Sequence, residues 1–401
     1  MVRHERRGTT APRTPVWAGA ITLLGVTFLT RAAENVAQVS YPLLGHERLH
    51  LSPAAIGVTV GASGALYTGA AMVLAARAHG PRVIASLLSG LAAYTAGYVL
   101  FALSPDVYVF FAAAIALGLG GGLAVPSLMT LAGRTGPGGP ERSVTRFTVA
   151  LSLSLLVGPL VEAVVLAVSG DSLRSAFWVF SPWPLVAAAA ILASSRRWRR
   201  ELAGDGHGGS GRRHDPPAHV QRAAFRLAAA SGLMFEISFA AVVAFGGLAG
   251  IAVHHLSVGT VALLFAAFYG VSLLIRSTIA WHAPIENKHL LVRICAAVTM
   301  AGMACLVVHG TAFFVVGMLL LGSGHGLSHP VNLALIAEGT APSGLVVANA
   351  RFSGTLKIAD IIVPAALGVG VHAIGYQAAF LLLEAPILAL AIPACLARRS
   401  H

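Results

Sequence analysis

Eight ionisable side chains stand inside runs that are otherwise almost wholly apolar: Arg31, Glu34, Glu162, Glu236, Arg276, Lys357, Asp360 and Glu384. A charge at the centre of a lipid bilayer costs roughly 2.5–3.5 kcal/mol on insertion scales, so eight facing lipid would cost on the order of 20 kcal/mol. They must pair with one another or face a wet cavity, where such groups grip polar molecules and relay protons. Arg31 and Glu34 are three residues apart, as are Lys357 and Asp360. That spacing puts each pair on one helix face.

The first apolar run has the richest pattern. Thr27, Arg31, Glu34, Asn35, Gln38 and Tyr41 recur every three or four residues, a polar stripe down one face. A self-neutralising Arg31–Glu34 pair would leave Asn35 and Gln38 unexplained, so the stripe is expected to line a cavity. A second stripe comprises His325, Ser328, His329 and Asn332. Histidines four apart are half of a metal site, but no acidic third ligand stands near, and no metal is expected. Substrate-bonding or protonatable rings are one reading of them, and packing rings the other. Lys357 and Asp360, with Ser353 above and Pro364 below, read either as a functional or as a static pair. Cys295, Cys305 and Cys395 lie in apolar stretches with no disulfide framework or CxxC motif.

Membrane-spanning helices must position these residues. Of 401 residues, 56% are hydrophobic and 10% charged, and the mean hydropathy is +0.79. A soluble domain carries about 25% charged residues. Soluble, disordered and nucleic-acid-binding classes are excluded, despite a net charge of +12. Spans need about 20 apolar residues, and twelve runs supply them: 16–43, 53–76, 82–103, 107–132, 144–169, 175–195, 223–251, 257–281, 289–309, 312–337, 347–371 and 376–397. The fold class is an all-α integral membrane protein. With the N-terminus cytoplasmic, 22 of the 27 Lys and Arg fall on the inner side and only Arg48 and Arg174 outside. This positive-inside bias puts both termini in the cytoplasm and the chain in the cell (inner) membrane, its basic loops facing anionic lipid.

A repeat organises the spans. Gly118, Gly120, Gly122, Leu123 and Pro126 recur as Gly322, Gly324, Gly326, Leu327 and Pro330, an offset of 204. Arg146-Phe147 and Pro159 recur as Arg351-Phe352 and Pro364, and Leu51-Ser52 as Leu256-Ser257, an offset of 205. The chain therefore divides into a tail (1–15), a six-helix half (16–195), a Gly-, Pro- and charge-rich linker (196–222), a second half in the same orientation (223–397) and a short tail (398–401). His207, His214 and His219 of the linker are expected to be scattered in solvent. The repeated glycines read as close-packing positions.

Two parallel six-helix halves, a basic central loop and cytoplasmic termini resemble the major facilitator superfamily of secondary transporters. The resemblance covers essentially the whole chain. Its local motifs are looser. The loop VLAARAHGPR keeps Gly80 and Arg82 but has Arg77 where the family has Asp. LVGPLVEAV keeps the Gly158-Pro159 of drug/proton antiporters but has Glu162 where a Gly is usual.

The resemblance implies rocker-switch alternating access, a cavity lined by spans 1, 4, 7 and 10, and an interface of spans 2, 5, 8 and 11. It places every intramembrane charge except Glu384 on those helices. It implies a proton-coupled transporter without a cofactor, powered by the proton gradient, that exports a small polar or zwitterionic metabolite. An uptake symporter and a multidrug efflux antiporter are the alternatives. The partners are substrate, protons and the lipid bilayer, with no nucleic acid, and a monomer is expected. No HExxH, GxSxG or P-loop pattern suggests an enzyme. The substrate site is expected at Arg31, Glu34, Asn35, Gln38, His325, His329 and Asn332. Glu236 stands 205 residues after Arg31, which suggests a bridge between them or a proton carrier; Glu34, Asp360, Lys357 and Glu162 are the further proton-coupling candidates. The topology has a direct check: cysteines introduced at Gly208 and Ser400 should resist impermeant thiol reagents in intact cells, and labelling of either from outside would overturn the orientation.

Overall fold

The computed structural model describes residues 16–77, 82–135, 140–204, 222–281, 285, 287–338, 340 and 345–396. The expected tails, the loop carrying Gly80 and the linker portion 205–221 with its three histidines lie outside the described residues. The described chain is helical throughout its spans: α1 (Val16–Leu49), α2 (Pro53–Arg77), α3 (Arg82–Leu103), α4 (Val107–Thr135) and α5 (Pro140–Ser169). The sixth span is two helices, α6 (Leu173–Phe180) and α7 (Pro182–Gly204). Pro182, which has no backbone N–H to give, starts the second. The α7 helix continues through Gly204, so residues 196–204 of the expected linker are helical, with Trp198 buried.

The second half repeats the arrangement. Its first span is α8 (Arg222–Ala241), a wider π turn at Val242–Gly246, and α9 (Gly247–Ala252). Then follow α10 (Val258–Trp281), α11 (Lys288–Val307), α12 (Thr311–Glu338), α13 (Leu345–Ile374) and α14 (Tyr376–Leu396). Eleven spans among the described residues are long and apolar enough to cross a membrane. The α1 helix, with Arg31 and Glu34 in its middle, is the twelfth. Apolar side chains such as Val164, Val168, Leu274 and Leu382 point outward, as a lipid-facing surface requires.

The repeat is a repeat of contacts. A Cβ at Gly118 would lie 2.9 Å from the Ser63 hydroxyl of α2, and one at Gly322 would lie 3.0 Å from Phe268 Cα of α10. At Gly120 the obstacle is Tyr94 N and at Gly324 the Thr299 hydroxyl; at Gly122 it is Ala70 and at Gly326 Ile275. Each pair of obstacles is itself 205 residues apart. The glycines hold the same close helix approaches in both halves.

The helix ends repeat as well. Leu51 N donates to Gly45 O at 3.1 Å with His50 at φ 51°, and Leu256 N donates to Gly250 O at 3.0 Å with His255 at φ 53°. This bond to a carbonyl six residues back, around a left-handed residue, closes a helix at a position that glycine usually takes. Ser52 and Ser257 then cap the next helices, accepting from Ala55 N and Thr260 N. The repeated Leu-Ser pair is a corner.

The halves meet along three helix pairings: α2 with α13, α5 with α10, and α1 with α9 and the π turn. Between α2 and α13 the approach is backbone to backbone. A Cβ at Gly61 would stand 2.6 Å from Ile361 O, and one at Gly368 2.5 Å from Pro53 O. On the opposite side, Asp171 Oδ1 of the α5–α6 turn accepts from Gly259 N of α10 at 2.9 Å.

The corner makes a stability prediction. A side chain in the left-handed region costs roughly 1–2 kcal/mol, which glycine avoids. His50→Gly and His255→Gly should therefore each stabilise the purified protein by about 1 kcal/mol against chemical unfolding. A loss of stability in both would show that the histidine side chains, and not the turn geometry, hold the corners.

Candidate functional site

Six of the eight intramembrane charges, Arg31, Glu34, Glu236, Arg276, Lys357 and Asp360, gather between the two halves. On α1, Arg31 Nη1 donates to Glu34 Oε2, and Gln38 Nε2 donates to Glu34 Oε1 at 3.3 Å. On α13, Lys357 Nζ donates to Asp360 Oδ2. Both ion pairs are three residues apart on one helix. Lys357 and Asp360 are 39% and 24% exposed although they lie mid-span, so they border an opening and are not sealed inside the protein.

Tyr67 of α2 links the two groups. Lys357 Nζ lies 5.2 Å from its ring centroid, a cation–π distance, and its hydroxyl is within the electrostatic reach of Arg31, Glu34 and Asp360. Glu236, midway along the seventh span, faces Lys357 and Asp360. The expected bridge between Glu236 and Arg31 is absent: Arg31 is taken by Glu34 on its own helix. Repeat-equivalent depth did not make them partners: Arg31 has a carboxylate one turn away on its own helix, and Glu236 faces α13.

Several expected site residues point elsewhere. Asn35 is buried and its Nδ2 donates to Leu155 O of α5 at 3.3 Å, which ties α1 to α5. Tyr41 packs on Phe101 and Phe110, and Thr27 returns its hydroxyl to Leu23 O. What remains of the stripe is a bonded group, Arg31, Glu34 and Gln38, in which Arg31 is 19% exposed and Glu34 is enclosed. Glu162 is buried between α5 and α1, where the Ser40 hydroxyl donates to it and the neighbouring Tyr98 hydroxyl donates to Ala33 O. It fastens α1 within the first half, apart from the central charges. Asn332 is also fully buried and donates to Ser328 Oγ at 3.2 Å.

The two histidines of α12 differ. Rings of Phe235, Phe239, Phe268 and Tyr269 surround His325, the nearest centroid 4.8 Å away. Its Nδ1 is 2.8 Å from Ser272 Oγ. It is a packed residue of the second half. His329, one turn on, is exposed although it lies deep among the helices beside Arg276, so it borders the cleft.

Arg276 reaches from α10 to His325, its Nη2 3.2 Å from the carbonyl oxygen and 3.4 Å from Nε2. The sequence showed it as one intramembrane charge among eight, and Tyr67 and Tyr269 as ordinary aromatics. Only the assembled helices show that all three face the centre. Glu384 stands on α14 with Oε1 buried and without a hydrogen bond, and nothing in the structure explains it. Among the described residues no three His, Cys, Asp or Glu side chains are grouped to hold a metal.

Comparison with known proteins agrees with the architecture. Residues 23–288 match the sequence model of the Major Facilitator Superfamily. No curated protein matches the chain. Among solved structures, a POT family transporter in complex with 5-aminolevulinic acid superposes with a TM-score of 0.74 at 12% identity, covering 93% of this chain and 94% of that one. A mutant of the peptide transporter POT gives 0.73 at 14% identity, over 94% of this chain and 93% of the other. A mutant of the nucleoside transporter NupG gives 0.70 at 12% identity, over 94% and 98%.

The unequal histidines give a test. Truncating a ring buried in an aromatic box costs about 3 kcal/mol. His325→Ala should lose about that much unfolding stability, while His329→Ala should lose almost none. Equal losses in the purified proteins would contradict their different placements.

Proposed function

Since the chain belongs to the major facilitator superfamily, a family of membrane transporters, we propose that it is a proton-coupled secondary transporter that moves a small polar or zwitterionic metabolite by alternating access. The observation that carries the reading is the grouping of Glu236, Lys357 and Asp360 against Tyr67 and the Arg31–Glu34 pair at the meeting of the halves. Lys357 neutralises one carboxylate. The other is balanced by a proton or by a cationic group on the cargo, and these alternatives exchange as the cleft loads and empties. A wet cleft with both signs of charge suits a cargo with both signs. The similar structures include one bound to 5-aminolevulinic acid, itself such a molecule.

The proton carrier in this reading is Glu236, which belongs to no intrahelical ion pair among the described residues. Arg31 and Glu34 line the cargo side with Gln38 and His329. Glu162 and Asn332, enclosed by protein, are support. The halves rock about the α2–α13 and α5–α10 contacts, and the basic loop ends face the cytoplasm of the cell membrane.

Export is the direction we favour. It rests on Gly158-Pro159, the antiporter-like pair in α5. Gly158 lets α5 approach α1 so closely that a Cβ there would be 2.9 Å from Ala32 O, which supports the pair's role in helix packing.

Glu236→Gln should abolish proton-driven accumulation in proteoliposomes while sparing exchange of labelled substrate at equilibrium. If the variant still accumulates substrate at the wild-type level, Glu236 is not the carrier. If neither variant nor wild type responds to a proton gradient, the coupling is not to protons.

A further inference from the structure

One cation of the central group has no carboxylate partner among the described residues. Arg31 and Lys357 each have an ion-pair partner on their own helix. Arg276 touches only the His325 ring and carbonyl, and no carboxylate pairs with it among the described residues. Helical side chains lean toward the N-terminus of their helix, which carries this guanidinium from the last turns of α10 toward the centre of the bundle.

Three orphan polar atoms in this group each have a hydrogen to donate. Arg276 Nε, the Tyr269 hydroxyl and Arg31 Nε are buried without a hydrogen-bond partner. The Tyr269 hydroxyl interacts electrostatically with both Arg276 and Arg31. Its ring packs on His325, the residue that Arg276 grips. Buried donors without acceptors are costly, and a buried cation without a counter-ion more so. Water could accept these hydrogen bonds but would leave the charge. A carboxylate would supply both the acceptors and the charge, and its two oxygens match the planar guanidinium fork.

We propose that Arg276, Tyr269 and Arg31 form a seat for the carboxylate, or an equivalent oxyanion, of the transported molecule, with Arg276 as the principal anchor. This deepens, and rests on, the transport reading above. It also gives the charge-bearing cargo a defined orientation. The anion lies against α10 and α1, one helix from each half, and any ammonium group points toward Glu236 and Asp360. A group held by both halves is in place to link them, which an anion bound within one half is not.

The test uses the full-length purified protein in nanodiscs of neutral lipid, with thermal unfolding followed at constant ionic strength. The probes are sodium sulfate, 5-aminolevulinate and 5-aminolevulinic acid methyl ester. Sulfate and 5-aminolevulinate should each raise the unfolding temperature saturably against chloride, and the ester should not. Arg276→Gln should weaken that binding at least about tenfold, and Arg276→Lys about three- to tenfold, because Lys keeps the charge and loses the fork. Tyr269→Phe should weaken it about threefold, the order expected for one lost hydrogen bond. If Arg276→Gln does not fold, the Lys and Phe variants carry the test.

No saturable response of the wild type to either anion overturns the proposal. So does an ester that binds as well as the acid, or unchanged binding in folded Arg276 variants. Replacing neutral by anionic lipid should leave the sulfate response intact; if the response disappears, a lipid headgroup occupies the seat and the cargo assignment fails. Proton-driven transport is measured on the same preparation. Anion binding without transport refutes the transport reading and spares the seat, whereas transport without Arg276-dependent binding refutes the seat alone.

Discussion

Charge placed in a hydrocarbon layer has to be cancelled, and this chain cancels four of its eight intramembrane charges within single helices. Arg31–Glu34 and Lys357–Asp360 are each three residues apart on one helix, so both partners travel together when that helix moves. No relative motion of the halves separates them. The groups outside such pairs are the ones whose neutralisation depends on what else is present. Glu236 faces a pair that is already balanced, and Arg276 has only neutral acceptors. A surplus carboxyl and a surplus cation on successive spans are a simple means of making occupancy and conformation depend on each other.

The framework that carries these charges depends on small residues and not on polar contacts. Glycines at 118, 120 and 122 and at 322, 324 and 326 admit neighbouring backbones to van der Waals distance, and lipid offers no hydrophobic incentive for helices to associate otherwise. The α2–α13 seam is made the same way, with Gly61 against Ile361 O and Gly368 against Pro53 O. A seam of backbone has no long side chains to repack, so it separates and rejoins with little rotamer rearrangement. The Asp171–Gly259 hydrogen bond across the other pairing is the polar counterpart.

The sequence made the spans legible because hydrophobic runs are local information. The 205-residue offset made the two halves legible because it samples contacts that recur. The Leu-Ser pairs at 51 and 256 were visible only as a coincidence of letters; the structure shows a left-handed histidine and a serine cap behind each. The site was half legible. Residue types marked Arg31, Glu34, Glu236, Lys357 and Asp360. The direction each side chain takes depends on helix rotation, which a stripe of six residues fixes only loosely. Glu34 and Asn35 are adjacent, about 100° apart on the helix, and one accepts from Arg31 and Gln38 while the other bonds α5. His325 and His329 share a face, yet α10 crosses over the first and leaves the second open. The solitary state of Arg276 is a property of the assembled bundle and leaves no trace in its own stretch of chain.

The 205-residue correspondence has a bearing on how such a molecule changes its specialisation. Shifted by 204 residues the packing glycines find packing glycines, and shifted by 205 the atoms they pack against and the corners find their counterparts. The chemistry finds nothing of its kind: Arg276 corresponds to Ala71, Lys357 to Ser152, Asp360 to Leu155 and Arg31 to Glu236. One half therefore shows what each helix looks like without the other half's charges, and in each case it is still the same helix in the same place. The mutational distance between an inert position and a selective one is a single side chain. Under the transport reading proposed above, preference for a different cargo lies a few substitutions away, at positions apart from the packing glycines and the corners.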